Sequence, residues 1–233
     1  MKILALDQST ALGSAAVMDE GSAAAERSWQ CGRTRNQGFF QAVRELMGQL
    51  SLSAADFDAY AVGTGPGSFS GLRIAMAAAR GFALPGAKPV YGVCSAQAVA
   101  LNVFKEDKPD RVSVLGDARR GQYWVAEFGS SGDIPEMHGD IRLVPYGELA
   151  TKLGADSMLV SSDWDRLEER VKSEKLREDV KVVAENRFPR ASDVGRLVFM
   201  GRKSGDIQAV RKPGEILSPI YLHPPTRTIK QPV

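Results

Sequence analysis

Hydrophobic and polar positions along the chain follow two periods in turn. Ile3 to Leu6 is an unbroken apolar run closed by Asp7, the pattern of a central strand buried on both faces. After a polar turn at residues 8–13, residues 14–18 and 23–29 read as returning strands, so the chain opens as a β-meander. The period then lengthens. Phe39, Val43, Leu46 and Leu50 fall on one stripe of a helix predicted over residues 36–50, and Phe40 and Met47 widen it into a second contact face. Residues 57–63 return to strand, and a glycine-dense turn leads into a helix over residues 72–84, with Ser70 as its cap. Pro85-Gly86 stops that helix; residues 90–93 give another strand, and Ser95 caps a helix to about Phe104.

The charged, proline-bearing stretch at residues 105–110 marks a boundary. Beyond it the opening recurs: residues 112–115 run into Gly116-Asp117, a turn and an alternating strand at 122–128. A strand, an Asp at its end, a turn and a return strand therefore occur twice, around Asp7 and around Asp117. Residues 130–139 read as a loop, 141–144 as an edge strand and 146–153 as a short helix. Residues 158–160 and 180–183 are apolar strands, and the charged segment 163–175 between them reads as a solvated helix. Residues 190–203 form an amphipathic helix on Val194, Leu197, Val198 and Phe199, and Ile220-Tyr-Leu222 can dock as a strand in the proline-rich tail. The expected division is an N-terminal half at 1–106, a smaller half at 107–189, and a returning helix and tail at 190–233.

The helix after the glycine turn carries more apolar surface than a sheet can cover. Only Arg73 and Arg80 interrupt it, seven residues apart on one stripe, whereas one covered face needs an arc of roughly 100°. A second body is expected on this helix and on its neighbour at 36–50, touching Phe40, Met47, Leu72, Arg73, Met76, Ala79, Arg80 and Ala83.

Composition narrows the classes. Of 233 residues 43% are hydrophobic and 25% charged, with a net charge of +2, which gives no general case for coating nucleic acid or a membrane surface. Cys31 and Cys94 are too few for a disulfide framework. The start enters directly into a strand, and no apolar run reaches the ~20 residues of a membrane helix. A cytoplasmic protein is expected.

The chemistry is sparse. No Lys follows the glycines of the turn, so the phosphate loop G-x-x-x-x-G-K-[S/T] is absent, as is G-x-G-x-x-G. Gly65 and Gly67 then read as structural, setting the strand-to-helix angle, with a nucleotide-phosphate role as the alternative. Asp7 and Asp117 can hold a magnesium ion through water, or each can close its own turn by an Asx hydrogen bond. His138 and His223 are remote and form no zinc or iron motif, and no G-x-S-x-G elbow exists. Neither metal, cofactor nor catalytic residue is expected of this chain alone.

Ile3-Leu-Ala-Leu-Asp7, Gly65-Pro-Gly-Ser-Phe-Ser-Gly-Leu-Arg73, Gly116-Asp-Ala-Arg-Arg120 and Pro219-Ile-Tyr-Leu222 together resemble the TsaB (YeaZ) family in order and spacing. The middle motif is the specific one, with Ser70 where the family usually has Thr. The resemblance implies an α/β fold of the actin/sugar-kinase/Hsp70-like (ribonuclease H-like) type, two related halves with mixed sheets flanked by helices. It also implies a supporting role in threonylcarbamoyl transfer to a tRNA adenosine next to the anticodon. A TsaD-like transferase would be the catalyst and partner, a TsaE-like ATPase would join the assembly, and tRNA would be met through the complex. Without the partner, a homodimer through the same helices is implied. Gln8 stands where Thr is usual, Asn36-Gln37 where His-Ser is common, and Cys94 at a position usually small and hydroxylic. The first two departures weigh against nucleotide binding. A small Mg-ATP-using kinase or ATPase is the competing class, and a metallopeptidase the third.

Overall fold

The computed structural model describes residues 1–32, 35–204, 209–210 and 217–223. The chain opens with β1 (Lys2–Asp7), β2 (Leu12–Asp19) and β3 (Ser22–Gln30), then α1 (Arg35–Gln49), β4 (Ala59–Gly63), α2 (Phe69–Ala83), β5 (Val90–Val93) and α3 (Ser95–Glu106). It continues with β6 (Arg111–Arg119), β7 (Gln122–Ser131), β8 (Ile134–Met137), β9 (Arg142–Pro145), α4 (Leu149–Lys152), β10 (Met158–Ser161), α5 (Trp164–Ser173), β11 (Lys181–Asn186), α6 (Ala191–Ser204) and β12 (Ala209–Val210).

The two sheets repeat one strand order. In the first, β5-β4-β1-β2-β3 run side by side with β12 outside β5; in the second the corresponding order is β11-β10-β6-β7-β8, with β9 paired to β7. β1 pairs antiparallel with β2 and parallel with β4, and β6 likewise with β7 and β10. The repeat seen around Asp7 and Asp117 therefore extends through both halves.

Helices layer between and outside the sheets. α1 and α2 cover one face of the first sheet, where Phe39, Val43, Leu46, Leu72, Ala75, Met76 and Ala79 join Leu4, Leu6, Tyr60 and Val62. On its other face, Val194, Leu197 and Val198 of α6 pack with Ala98 and Leu101 of α3. The opposite side of α3 (Ala96, Val99, Ala100, Val103) packs on β6 and β7 of the second sheet, so this helix, apolar on two sides, lies between the halves. The far face of the second sheet is closed by α4 and α5.

Five local expectations change. The cap of α2 is Ser68, whose side chain accepts the Gly71 N–H, not Ser70, because the helix begins at Phe69. Ser95 lies inside the first turn of α3, and its hydroxyl goes to Asp7 instead of capping. β8 occupies part of the expected loop; its Pro135 is tolerated because β8 is an edge strand. α5 is not wholly solvated, since Trp164, Leu167 and Val171 are buried on one face. Residues 217–223 dock against the body without forming a strand.

Candidate functional site

The glycine turn leaves the end of β4 and closes on the chain itself. Gly65 has a left-handed φ of +93°, and Thr64 is tied back to β5 through its N–H and its hydroxyl, both on the Val93 carbonyl. At the start of α2 the Ser68 N–H donates to the Ser9 carbonyl at 2.6 Å. A Cβ on Gly67 would stand 2.1 Å from that same oxygen, and one on Gly71 would stand 2.0 Å from the Gln8 carbonyl oxygen. These glycines permit a backbone approach to the β1–β2 turn, which sets the angle and depth of α2.

The two aspartates occupy matching places with different surroundings. Asp7 Oδ1 accepts the Ser9 N–H at 2.8 Å and the Ser9 hydroxyl at 2.7 Å, and Oδ2 accepts the Ser95 hydroxyl at 2.7 Å. β4 presses on it so closely that a Cβ at Gly63 would lie 1.8 Å from Oδ2. Burial pushes the Asp7 carboxyl above its ordinary pKa, against the hydrogen bonds from Ser9 and Ser95. Asp117 accepts the N–H two residues on in the same way, from Arg119 at 2.7 Å. It then pairs with the Arg119 guanidinium at 3.0 Å and with that of Arg166, and accepts the Tyr146 hydroxyl. Partial burial pushes Asp117 up, but the Arg119 N–H and the two guanidiniums outweigh it and hold the carboxyl low. Each carboxylate thus closes its own turn, and their partners do not overlap. Among the described residues no three His, Cys, Asp or Glu side chains come together as a metal set. His138 lies against Gly129, and His223 Nε2 donates to the Ala118 carbonyl at 2.7 Å.

The expected contact residues divide between core and surface. Leu72, Met76, Ala79 and Ala83 face the first sheet and are buried in its core, Ala79 completely. They cannot touch a second body, because the phase of α2 turns them inward. Phe40 is 51% exposed, Met47 half-buried, Arg73 exposed and Arg80 half-buried. The outer side of α2 is made by Ser70, Arg73, Ala77 and Gly81, with half-buried Ile74, Ala78 and Arg80 beside them. It is flanked by Phe69 and by Leu84 just past the helix, 52% and 73% exposed. Among the described residues, three of the five large exposed apolar side chains, Phe40, Phe69 and Leu84, therefore sit on or beside α1 and α2. The excess apolar surface of this helix is visible in its sequence, but the sequence does not single out Phe69, Ala77 and Leu84, since an almost uniform wheel does not say which side meets the sheet.

Comparison with known proteins fits this geometry. A family model described as TsaD, tRNA N6-adenosine threonylcarbamoyltransferase, matches residues 31–208. The chain belongs to that family. Several of its curated relatives are TsaB proteins, the family that the four motifs resemble. The chain is 34% identical over 128 residues to the tRNA threonylcarbamoyladenosine biosynthesis protein TsaB of Escherichia coli, covering 55% of each chain. It thus spans about half the length of the curated relatives it matches. YeaZ from Pseudomonas aeruginosa superposes with a TM-score of 0.80 at 26% identity, over 95% of this chain and 99% of that one. An activator of 2-hydroxyisocaproyl-CoA dehydratase from Clostridium difficile shares the fold alone, with a TM-score of 0.51 at 9% identity over 88% and 97% of the two chains. Among the described residues no helix is long and apolar enough to cross a membrane.

Proposed function

We propose that this chain is a non-catalytic supporting subunit for threonylcarbamoyl transfer to a tRNA adenosine. In this reading it pairs with a TsaD-like transferase through the outer sides of α1 and α2. A TsaE-like ATPase joins the pair, tRNA is met through the complex, and the setting is the cytoplasm. The same surface forms a homodimer when the transferase is absent. The observation that carries the reading is the outer side of α2. Apart from Ser70, Arg73 and Arg80 it is apolar, although its inner side already completes the core, and Phe40 is exposed on α1, the other helix on that face of the sheet. Support against the Mg-ATP reading comes from Asp7, whose two oxygens are engaged by donors of the chain itself and closed in by β4.

The test is Ala77→Glu. Ala77 is exposed in the free chain, so the variant is expected to fold with an unchanged melting curve. At a desolvated contact the same carboxylate has no partner, and association with the transferase is expected to weaken by about 3 kcal/mol, roughly a hundredfold. Co-elution at wild-type affinity would remove α2 from the interface. A tRNA modification assay with the transferase, with and without this chain, tests the supporting role; equal rates would end it.

A further inference from the structure

Residues 217–223 cross from one half of the fold to the other. Leu217 packs on the first core and fills the space that a side chain at Gly92 of β5 would need, its Cδ1 lying 2.5 Å from such a Cβ. The Ile220 N–H donates to the Thr64 carbonyl at 2.8 Å, at the end of β4. Tyr221 reaches α2: its hydroxyl accepts Arg73 Nε at 3.2 Å and its ring lies 5.5 Å from that of Phe69. The Arg73 guanidinium stacks 3.9 Å above the Phe69 ring, completing a three-residue cluster. The segment then enters the second half. Leu222 packs on the core between α3, β6 and β7, and His223 holds the Ala118 carbonyl next to the β6–β7 turn.

We propose that residues 217–223 act as a latch between the halves, and that the Phe69–Arg73–Tyr221 cluster couples it to a TsaD-like transferase seated on α2. Two members of the cluster are outward residues of α2 and the third belongs to the strap, so a body seated on Phe69 and Arg73 also presses on Tyr221. The strap carries that contact about two residues further, to Ala118 in the second half. This coupling rests on the pairing reading above; the latch itself does not.

Hydrogen exchange on the full chain tests the latch first. In Tyr221→Ala, the Ile220 amide and the turn at residues 118–121 should both exchange about tenfold faster, with the core of the first sheet unchanged. Tyr221→Phe, which removes only the hydroxyl bond to Arg73, should move both sites the same way by less. Faster exchange at Ile220 with an unaltered 118–121 turn would show an appendage held locally and would overturn the latch. So would no change at either site. If Tyr221→Ala does not fold, Tyr221→Phe decides by the same criterion. Adding the transferase tests the coupling: protection should rise together on α2 and at 118–121. Protection on α2 alone overturns the coupling and leaves pairing standing, whereas none on α2 overturns the pairing reading.

Discussion

α2 and α5 are the same helix twice. Each crosses between two parallel strands of its sheet, β4 to β5 and β10 to β11, and each buries one side. The inner side of α5 is Trp164, Leu167 and Val171, and its outer side carries Asp165, Arg166, Glu168, Glu169, Arg170 and Lys172. Ion pairs run along that side, Lys172 to Glu168 at 3.0 Å and to Glu169 at 3.2 Å. α2 has Arg73 and Arg80 as its only charges in fifteen residues. A crossover helix in this fold can thus be charged outside and still pack, which α5 demonstrates. The largely apolar outside of α2 is therefore not demanded by folding, and this makes it informative about association.

Substitutions that exchange the characters of these faces put the comparison under strain. The largest effect is expected from Ala79→Glu on the inner side of α2. A carboxylate at this fully buried position has no partner, and denaturant titration should show a loss of about 4 kcal/mol or more, enough to abolish folding in a marginal chain. A folded Ala79→Glu variant that merely fails to pair would mean that α2 sits in the opposite phase. Leu167→Ala on the inner side of α5 should cost about 2–4 kcal/mol by the same measurement, since Leu167 is buried in the second core.

The aspartate turns give the next step down. Asp7→Ala should cost about 1–3 kcal/mol, because it strands the buried Ser9 N–H and the Ser95 hydroxyl. Asp7→Asn keeps an acceptor for Ser9 and should separate the charge from the hydrogen bonds through its pH dependence. The carboxyl has a raised pKa in the fold, so it binds its proton more tightly there than in the unfolded chain. Its favourable contribution is complete below the unfolded value and is lost as pH rises towards the folded one. Relative to Asp7→Asn, the parent should therefore lose stability on going from about pH 4 towards neutrality. Asp117, held low by its arginines, works in the other direction: its contribution is present above the unfolded value and is lost as acid protonates it. The smallest effect belongs to the outer side of α2. Leu84→Ser, at a position largely in solvent, should change stability by less than about 0.5 kcal/mol while weakening association. A comparable loss of stability there would mean that the outer side already serves the monomer.

The legibility of the fold follows these physical differences. β1, β4 and β10 are doubly buried, so their apolar runs stand out from the sequence, and the Asp at the end of β1 and near the end of β6 reveals the repeat. β8 does not stand out, because a proline reads as a break unless the edge position of the strand is known. In α5 the spacing of Trp164, Leu167 and Val171 is present, but charge density masks it. α2 presents the opposite difficulty. An almost wholly apolar wheel has no phase, so the sequence announces excess surface without saying which residues carry it. The phase is fixed by a contact remote in sequence, Gly71 against the Gln8 carbonyl oxygen.

That contact also sets a mechanical tolerance. Two stretches of backbone, neither of which can rotate away as a side chain can, meet where a methyl group would overlap the oxygen. Alanine at position 71 would work as a shim, tilting the start of α2 off the β1–β2 turn while leaving every outward side chain chemically intact. The residue thus offers a control over geometry alone: a partner that reads the chemistry of the surface would tolerate the tilt, and one that reads its shape would not.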